Sequence, residues 1–246
     1  YPKKVLEEMV KIAKEYDLFI VSDEIYCNVA HDQRKMTTLA EIIGDVPGIA
    51  MKGISKEFPW PGSRCGWIEI YNKDKDEVFA KYVKSIMNAK MLEVCSTTLP
   101  QSVIPAVMSD PRYESHLDER RKFYKKRAGM AFGILKKVPG IISPKAAGAF
   151  YVSTVFKDGL LNNKQTLKIK NNKVRKFVEE KTANGVSSDK RFVYYLMGAT
   201  GICVVPLSGF NCNLQGFRAT LLESDEAKFK WIYKMMAEKI EEYLKK

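Results

Sequence analysis

The stretch LFIVSDEIY, residues 18–26, joins an apolar run to two acids and a phenol. Residues 18–21 have the pattern of a short buried strand, because a compact apolar run is bounded by polar residues. A strand that simply ended in solvent would be followed by turn residues. Here Asp23 and Tyr26 follow it, and both side chains can take part in acid, base or hydrogen-bond chemistry. The stretch therefore indicates a strand whose end carries functional groups.

Helical and strand patterns alternate on either side of this stretch. Apolar residues recur at helical spacing over residues 3–16 and predict an amphipathic helix that covers a core. Further strands are predicted over residues 49–54 and 65–70. This alternation favours the α/β class, with part of a mostly parallel sheet and flanking helices. A long helix over residues 111–138 follows, with Asp110 as its predicted cap.

A smaller α+β domain is predicted after the long helix. We expect the join near residues 139–142, so that residues 1–138 form one domain and residues 139–246 form the other. The elements expected in the second domain are strands over residues 149–155, 202–205 and 217–222, helices over residues 174–181 and 191–197, and a last helix capped by Ser224.

Composition argues against several classes of protein. The five scattered cysteines and two isolated histidines form no disulfide framework and no metal-ligand pattern. The net charge of +12 is spread over almost every segment, and no RNA-binding or zinc-finger pattern is present, so no nucleic-acid partner is expected. No apolar run approaches the roughly eighteen residues that span a bilayer, and no signal sequence opens the chain. We expect a soluble, cytoplasmic protein.

The functional groups converge at one edge of the predicted sheet. In open parallel sheets, ligands bind outside the carboxyl ends of the strands. Asp23 and Tyr26 follow one strand, and Ser55 and Lys56 follow another, so an acid, a phenol and an amine point into one crevice. Arg64 lies eight residues beyond Lys56 in PGSRCG, where the glycines permit a close backbone approach. An arginine there suggests an anion that the lysine shares.

These groups are what pyridoxal 5'-phosphate (PLP) requires, because PLP offers an aldehyde, a ring nitrogen and a phosphate. At this point the chain resembles the fold-type I PLP-dependent aminotransferases of class I/II. The stretches that carry the resemblance keep the family's order across nearly the whole chain, and they are VSDEIY, ISKEFPWPGSRCGW, GAFYV, VVPLSGF and FRATLLES.

The resemblance implies a catalytic role for three of these residues. Lys56 would hold PLP as an imine and, once displaced by substrate, move the proton between the substrate and the cofactor. Asp23 would pair with the protonated ring nitrogen, and Tyr26 would hydrogen-bond the phenolic oxygen of the ring. Arg64 would bind the phosphate.

Two further binding residues come from the same resemblance. Arg218, in FRATLLES, would bind the substrate α-carboxylate with its planar fork. The family usually has a hydroxyl residue three positions before the lysine, where this chain has Gly53, and Ser55 would partly substitute for it in binding phosphate. Glu24 is left out of the site, since its side chain should point away from that of Asp23.

The resemblance also implies partners and a longer protein. The family's phosphate loop, its ring-stacking aromatic and an Asn-Pro-x-Gly turn would lie upstream of Tyr1. Residues 1–138 then correspond to the carboxyl-terminal part of the large PLP-binding domain. A homodimer is expected for the full-length protein, with an amino acid and a 2-oxo acid as substrates in amino-acid metabolism. We expect residues 1–246 alone to be inactive.

Two alternatives to an aminotransferase remain open on the sequence. The same framework resembles PLP-dependent carbon–sulfur lyases. It also resembles the aminotransferase-like sensing domain of transcription regulators, in which case a helix-turn-helix domain would lie upstream. The sequence leaves open which amino acid and which 2-oxo acid are the substrates.

Overall fold

The computed structural model describes residues 1–31 and 36–245. Within these residues the chain divides into two units, Tyr1–Arg121 and Lys122–Lys246. Helices and strands alternate in the first unit, as predicted. Its elements are α1 (Lys3–Glu15), β1 (Ile20–Asp23), α2 (Leu39–Ile42), β2 (Gly48–Gly53), β3 (Gly66–Tyr71), α3 (Glu77–Met91) and α4 (Thr98–Met108).

The first unit contains a three-stranded sheet in the order β1-β2-β3. β1 and β2 are parallel, with Asp23 opposite Met51, and β2 and β3 are antiparallel, with Gly53 opposite Gly66. The sheet is therefore mixed, and the predicted α/β class is confirmed. Because β1 and β2 are parallel, the segments that follow Asp23 and Gly53 leave the same edge of the sheet, as the sequence predicted.

Helices cover both faces of β2. Ala50 is fully buried in a cluster formed mainly by α1, α2 and the loop after α2, and the other buried members of that cluster are Ala13, Leu39, Ile43 and Val46. The preceding residue, Ile49, packs instead against Phe79 and Val83 of α3. Successive strand residues face opposite sides, so this alternation places β2 between two helical layers.

The predicted apolar stripe of α1 does not cover a core within the described residues. Of its members only Ala13 is buried, and the other four, Val5, Met9, Ile12 and Tyr16, are 39% to 65% exposed. Val10, which lies outside that stripe, packs against the Ala13 cluster. Helical spacing correctly predicted the helix, but it did not identify which of its residues meet α2 and β2.

The first strand also differs from its prediction. β1 covers Ile20–Asp23 rather than residues 18–21, and Val21 is exposed. β1 is the outermost strand of this sheet among the described residues, so Val21 is covered from fewer sides than Ile49, its buried partner on β2. Phe19, just before β1, lies 5.2 Å from the rings of both Phe79 and Tyr82, measured between centroids.

The helix α5 (Tyr113–Leu135) runs across the division between the units. It begins two residues later than predicted, because Asp110 binds the N–H of Arg112 in a turn that precedes the helix. The predicted domain join after residue 138 lies beyond the end of this helix and stays a prediction.

The second unit contains a four-stranded antiparallel sheet in the order β4-β5-β7-β6. Its elements are β4 (Ile141–Ile142), β5 (Tyr151–Phe156), α6 (Asn172–Ala183), α7 (Ser188–Thr200), β6 (Val205–Pro206), β7 (Gly216–Thr220) and α8 (Glu226–Leu244). The α+β architecture agrees with the prediction. β4 was not predicted, and the strand expected over residues 202–205 overlaps β6 only at Val205.

The cap of α8 is Asp225 rather than the predicted Ser224. The Asp225 carboxylate accepts a hydrogen bond from the N–H of Lys228 at 2.7 Å, which satisfies a free amide in the first helical turn. The carbonyl oxygen of Ser224 accepts from Arg127 Nη2 at 2.6 Å instead. Among the residues described, no helix is both long enough and apolar enough to cross a membrane.

We expect Phe192→Ala to lower the free energy of unfolding by about 3–5 kcal/mol, because a large cavity would open in the core. Phe192 is fully buried, and its ring centroid lies 5.0 Å from Phe156, 5.7 Å from Phe217 and 5.1 Å from Tyr243. Phe177→Ala removes the same ring from a site on α6 that is 51% exposed, and should cost less than about 1 kcal/mol. Urea unfolding of both variants measures the difference, and equal losses would contradict this view of the core.

Candidate functional site

The turn that follows β1 holds the first candidate residues. Asp23 is the last residue of the strand, and its exposed carboxylate accepts a hydrogen bond from the N–H of Ile25 at 3.1 Å. The chain then turns over residues 25–28, with backbone bonds from Cys27 to Glu24 at 3.0 Å and from Val29 to Tyr26 at 2.9 Å. This turn places Asp23 and the half-buried Tyr26 at the carboxyl edge of the sheet.

Lys56 lies in an irregular segment that follows β2, residues 54–60. The segment is closed by a backbone hydrogen bond from Trp60 to the carbonyl of Ile54 at 3.1 Å. Lys56 is half-buried, and its Nζ lies 5.8 Å from the centroid of the Tyr26 ring. The structure therefore brings the amine and the phenol together, as expected from the ends of two neighbouring parallel strands. Ser55 is half-buried beside Lys56.

Arg64 follows a short 3₁₀ turn, Pro61–Ser63, in the left-handed backbone conformation with φ of 54°. This conformation is uncommon for residues other than glycine and turns the chain sharply back toward β3. Arg64 is exposed, and its Nη1 donates to the carbonyl of Pro61 at 2.9 Å. A guanidinium has five N–H donors, so most of the fork is available for an anion.

The close approach of two strands explains why a glycine stands at position 53. A Cβ added there would lie 3.0 Å from the carbonyl oxygen of Cys65 and 3.1 Å from the Cα of Gly66. Both distances are tighter than ordinary contacts, so a hydroxyl residue at this position would require the β2–β3 pair to shift. The departure from the family's pattern at Gly53 thus goes with a close approach of the two strands.

Glu24 points away from the candidate site, as the alternation of side chains along a strand predicts. It is buried, and its Oε1 accepts from the N–H of Leu39 at 2.6 Å. Its Oε2 lies 3.7 Å from Nζ of Lys52, which also pairs with Glu69 at 2.8 Å. These contacts anchor α2 to the sheet.

Sequence reasoning missed a partly buried polar cluster around Glu57, the residue after Lys56. Glu57 is 5% exposed and accepts a hydrogen bond from Asn28 Nδ2. His116 Nε2 lies 3.3 Å from the carbonyl oxygen of Glu57, and Arg120 Nη2 donates to the carbonyl of Lys56 at 3.4 Å. The available signal was the place of Glu57 directly after Lys56. Nothing in the sequence pointed to the two residues of α5.

Burial changes the acidity of this cluster. Desolvation raises the pKa of the Glu57 carboxyl, against the hydrogen bond from Asn28 and the charge of Lys52, which lower it. Burial, together with the nearby carboxylates of Glu57 and Glu24, raises the pKa of the Cys27 thiol to about 11. Burial and the same Glu57 raise the pKa of Tyr113 to about 12. The environment around Glu57 therefore disfavours negative charge.

Arg218 lies in the second unit, on β7, opposite Ser153 of β5 and Val205 of β6. Its guanidinium carbon lies 4.2 Å from the ring centroids of both Tyr151 and Phe210. At this distance each ring attracts the cation through its π face. The three residues come from the stretches FRATLLES, GAFYV and VVPLSGF, so three of the five quoted stretches meet around one guanidinium.

Among the residues that the structure describes, no group of three or more His, Cys, Asp or Glu side chains could hold a metal ion. The candidate groups that follow β1 and β2 in the chain are an amine, a carboxylate, a phenol and a guanidinium, and groups of these kinds bind organic and anionic ligands.

Several known proteins that this chain resembles have aminotransferase names. The family described as "Aminotransferase class I and II" matches residues 1–229. An uncharacterized aminotransferase of Methanocaldococcus jannaschii is 56% identical over 245 residues, which are 100% of this chain and 56% of that protein. The aspartate aminotransferase of Pyrococcus abyssi is 32% identical over 165 residues, 66% of this chain and 40% of that enzyme.

Solved structures agree with these relatives. The alanine aminotransferase of Pyrococcus furiosus matches 100% of this chain with a TM-score of 0.77 and 26% identity, and 54% of that chain is covered. The tyrosine aminotransferase of Leishmania infantum shares the fold with a TM-score of 0.78, 16% identity, and coverage of 97% of this chain and 52% of its own. This chain thus spans about half the length of these relatives. It belongs to the class I and II aminotransferase family.

Proposed function

We propose that the protein containing this chain is a PLP-dependent aminotransferase that moves an amino group between an amino acid and a 2-oxo acid. The observation that carries the proposal is the position of Nζ of Lys56, 5.8 Å from the ring centroid of Tyr26. Both residues follow the carboxyl ends of two parallel strands, the first of which ends at Asp23. Family membership supports it. The relatives described above carry aminotransferase names, and no described residue favours a carbon–sulfur lyase or a regulator's sensing domain.

The residues present fit PLP by their chemistry. Lys56 offers an amine to the aldehyde, the exposed carboxylate of Asp23 suits a protonated ring nitrogen, and Tyr26 suits a phenolic oxygen. Arg64 has an exposed guanidinium for the phosphate, and Ser55 lies close to Lys56 in the chain. When bound, PLP supplies an electron-accepting ring that stabilises negative charge on the substrate α-carbon.

Lys56 is the proposed base. Its Nζ would take a proton from the substrate α-carbon and deliver it to the aldehyde carbon of the cofactor, which requires a neutral amine during the step. Asp23 would hold a proton on the ring nitrogen of PLP by charge and hydrogen bonding, because a carboxylate beside a protonated nitrogen favours the charged form of that nitrogen. Tyr26 would donate a hydrogen bond from its hydroxyl to the phenolic oxygen of PLP and so help to orient the cofactor toward Lys56.

Arg218 is the proposed site for the α-carboxylate. A guanidinium forms two parallel hydrogen bonds with a carboxylate, which fixes both its position and its orientation. The rings of Tyr151 and Phe210 limit how far the guanidinium can turn. A homodimer and a cytoplasmic location stay predictions from the sequence, which leaves the identity of the substrate side chain open.

Lys56 should be the residue that carries PLP. Treatment of the complete protein with PLP and borohydride, followed by peptide mass mapping, should place the pyridoxyl group on Lys56. The nearby Lys52 should remain unmodified, because it is engaged by Glu24 and Glu69. Lys56→Ala should abolish the modification, and a pyridoxyl group on another lysine would contradict the assignment.

Asp23→Ala should lower kcat by on the order of 10²-fold or more while some PLP remains bound, because the lost charge supports the chemical step and the phosphate is held elsewhere. Steady-state kinetics and cofactor absorbance measure the two effects. Asp74→Ala removes another exposed carboxylate in the same unit and is the control. A near-normal rate in Asp23→Ala would show that this carboxylate does not pair with the ring.

Arg218→Leu should retain PLP and lose amino-acid affinity by about 2–3 kcal/mol, the range for a charge-assisted pair. The amino-acid affinity of Arg218→Lys should lie between those of the natural protein and Arg218→Leu, because lysine keeps the charge but lacks the planar fork. Arg175→Leu, at an exposed site on α6, is the control. Unchanged Michaelis constants in Arg218→Leu would place the carboxylate site elsewhere.

A further inference from the structure

The residue that directly follows the proposed catalytic lysine in the chain carries a buried carboxyl group. Glu57 follows Lys56 in the chain, is 5% exposed, and accepts a hydrogen bond from Asn28 Nδ2. Burying a carboxyl group costs free energy unless it is well bonded. The amide of the half-buried Asn28 provides such a partner, so the two side chains form one hydrogen-bonded pair.

This pair joins the two segments that hold the candidate groups. Asn28 belongs to the turn of residues 25–28, which also contains Tyr26, and Glu57 belongs to the segment of residues 54–60, which contains Lys56. Neither segment is a helix or a strand, so regular backbone hydrogen bonding does not set their separation. A side-chain hydrogen bond between them therefore constrains the distance from Lys56 to Tyr26.

The first two turns of α5 support the same segment through its main chain. His116 Nε2 lies 3.3 Å from the carbonyl oxygen of Glu57, a distance at which a protonated Nε2 donates a hydrogen bond. Arg120 Nη2 donates to the carbonyl of Lys56 at 3.4 Å. A side chain of the turn thus holds the carboxylate of Glu57, and two side chains of α5 contact the main-chain carbonyls of residues 56 and 57.

We propose that Glu57 and Asn28 are positioning residues, which act as a clamp that holds Nζ of Lys56 against the ring of Tyr26. The inference rests on the proposed role of Lys56 as the amine that carries PLP. The rate of a reaction between positioned groups depends steeply on their distance, and a displacement of about 1 Å can lower the rate on the order of 10²-fold. Loss of the clamp should therefore slow the attachment of PLP to Lys56, with smaller effects on other lysines.

The test measures the rate of pyridoxyl attachment rather than turnover. The complete protein, freed of cofactor, is mixed with PLP, quenched with borohydride at successive times and mapped by peptide mass. Glu57→Leu and Asn28→Ala should each slow attachment at Lys56 by about tenfold or more. Glu57→Gln keeps an acceptor oxygen for Asn28 and should stay within about threefold of the natural protein. The solvent-exposed Lys84 reports general reactivity in every sample.

Asn72→Gly is the matched control for lost stability. Asn72 donates to the carbonyls of Gly44 and Val46 at 2.8 and 2.7 Å, close to the amino end of β2 and away from Lys56. Glycine keeps the positive φ of 56° at that position while removing both bonds. This variant should lose thermal stability and label Lys56 at the natural rate.

The outcomes separate the inference from the proposed function. A pyridoxyl group on a lysine other than Lys56 in the natural protein would overturn the function and the clamp together. Labelling of Lys56 at the natural rate in Asn28→Ala would overturn the clamp alone, even if Glu57→Leu fails to fold. Equal slowing by Asn72→Gly would also overturn it. In the double variant the effects of Asn28→Ala and Glu57→Leu should not add, because both remove one interaction.

Discussion

The parallel pairing of β1 with β2 is the constraint on which the candidate site depends. Its register sets Asp23 opposite Met51, so both strands end at the same edge of the sheet. Side chains alternate along a strand, and a slip of one residue would turn Asp23 inward and bring Glu24 out. The buried contacts of Glu24 with Leu39 and Lys52 oppose such a slip. The packing of α2 therefore helps to determine which of the two carboxylates is exposed at the end of β1.

The placement of Lys56 depends on the other side of β2. β3 returns antiparallel, and the strands approach so closely at Gly53 and Gly66 that a side chain on either would crowd the opposite backbone. The chain leaves this narrow point into an irregular segment, where backbone pairing no longer fixes its path. Contacts from Asn28 and from α5 then take over, and they reach Lys56 and its neighbour Glu57.

Much of this arrangement was predictable from the sequence, because hydrophobic periodicity and strand-end chemistry are local signals. The convergence of Tyr26 and Lys56 followed from two strands and their ends, and the roles of these residues stay predictions. The prediction of which face of α1 is packed was wrong, since that depends on the neighbouring elements in the folded chain and not on the apolar pattern alone. The predicted cap of α8 was wrong because the adjacent residues Ser224 and Asp225 are both of a type that caps helices. Contacts such as His116 with Glu57 join residues 59 positions apart and leave no local pattern.

The aromatic surroundings of Arg218 have an energetic consequence. A free arginine side chain carries about 2 kcal/mol of rotamer entropy, which is lost when a ligand immobilises it. Tyr151 and Phe210 both contact the guanidinium at 4.2 Å, so folding of the second unit already removes much of that freedom. An anion that binds Arg218 meets a preorganised group and loses less of its binding free energy to ordering the protein. The gain comes from stacking and requires no additional charge.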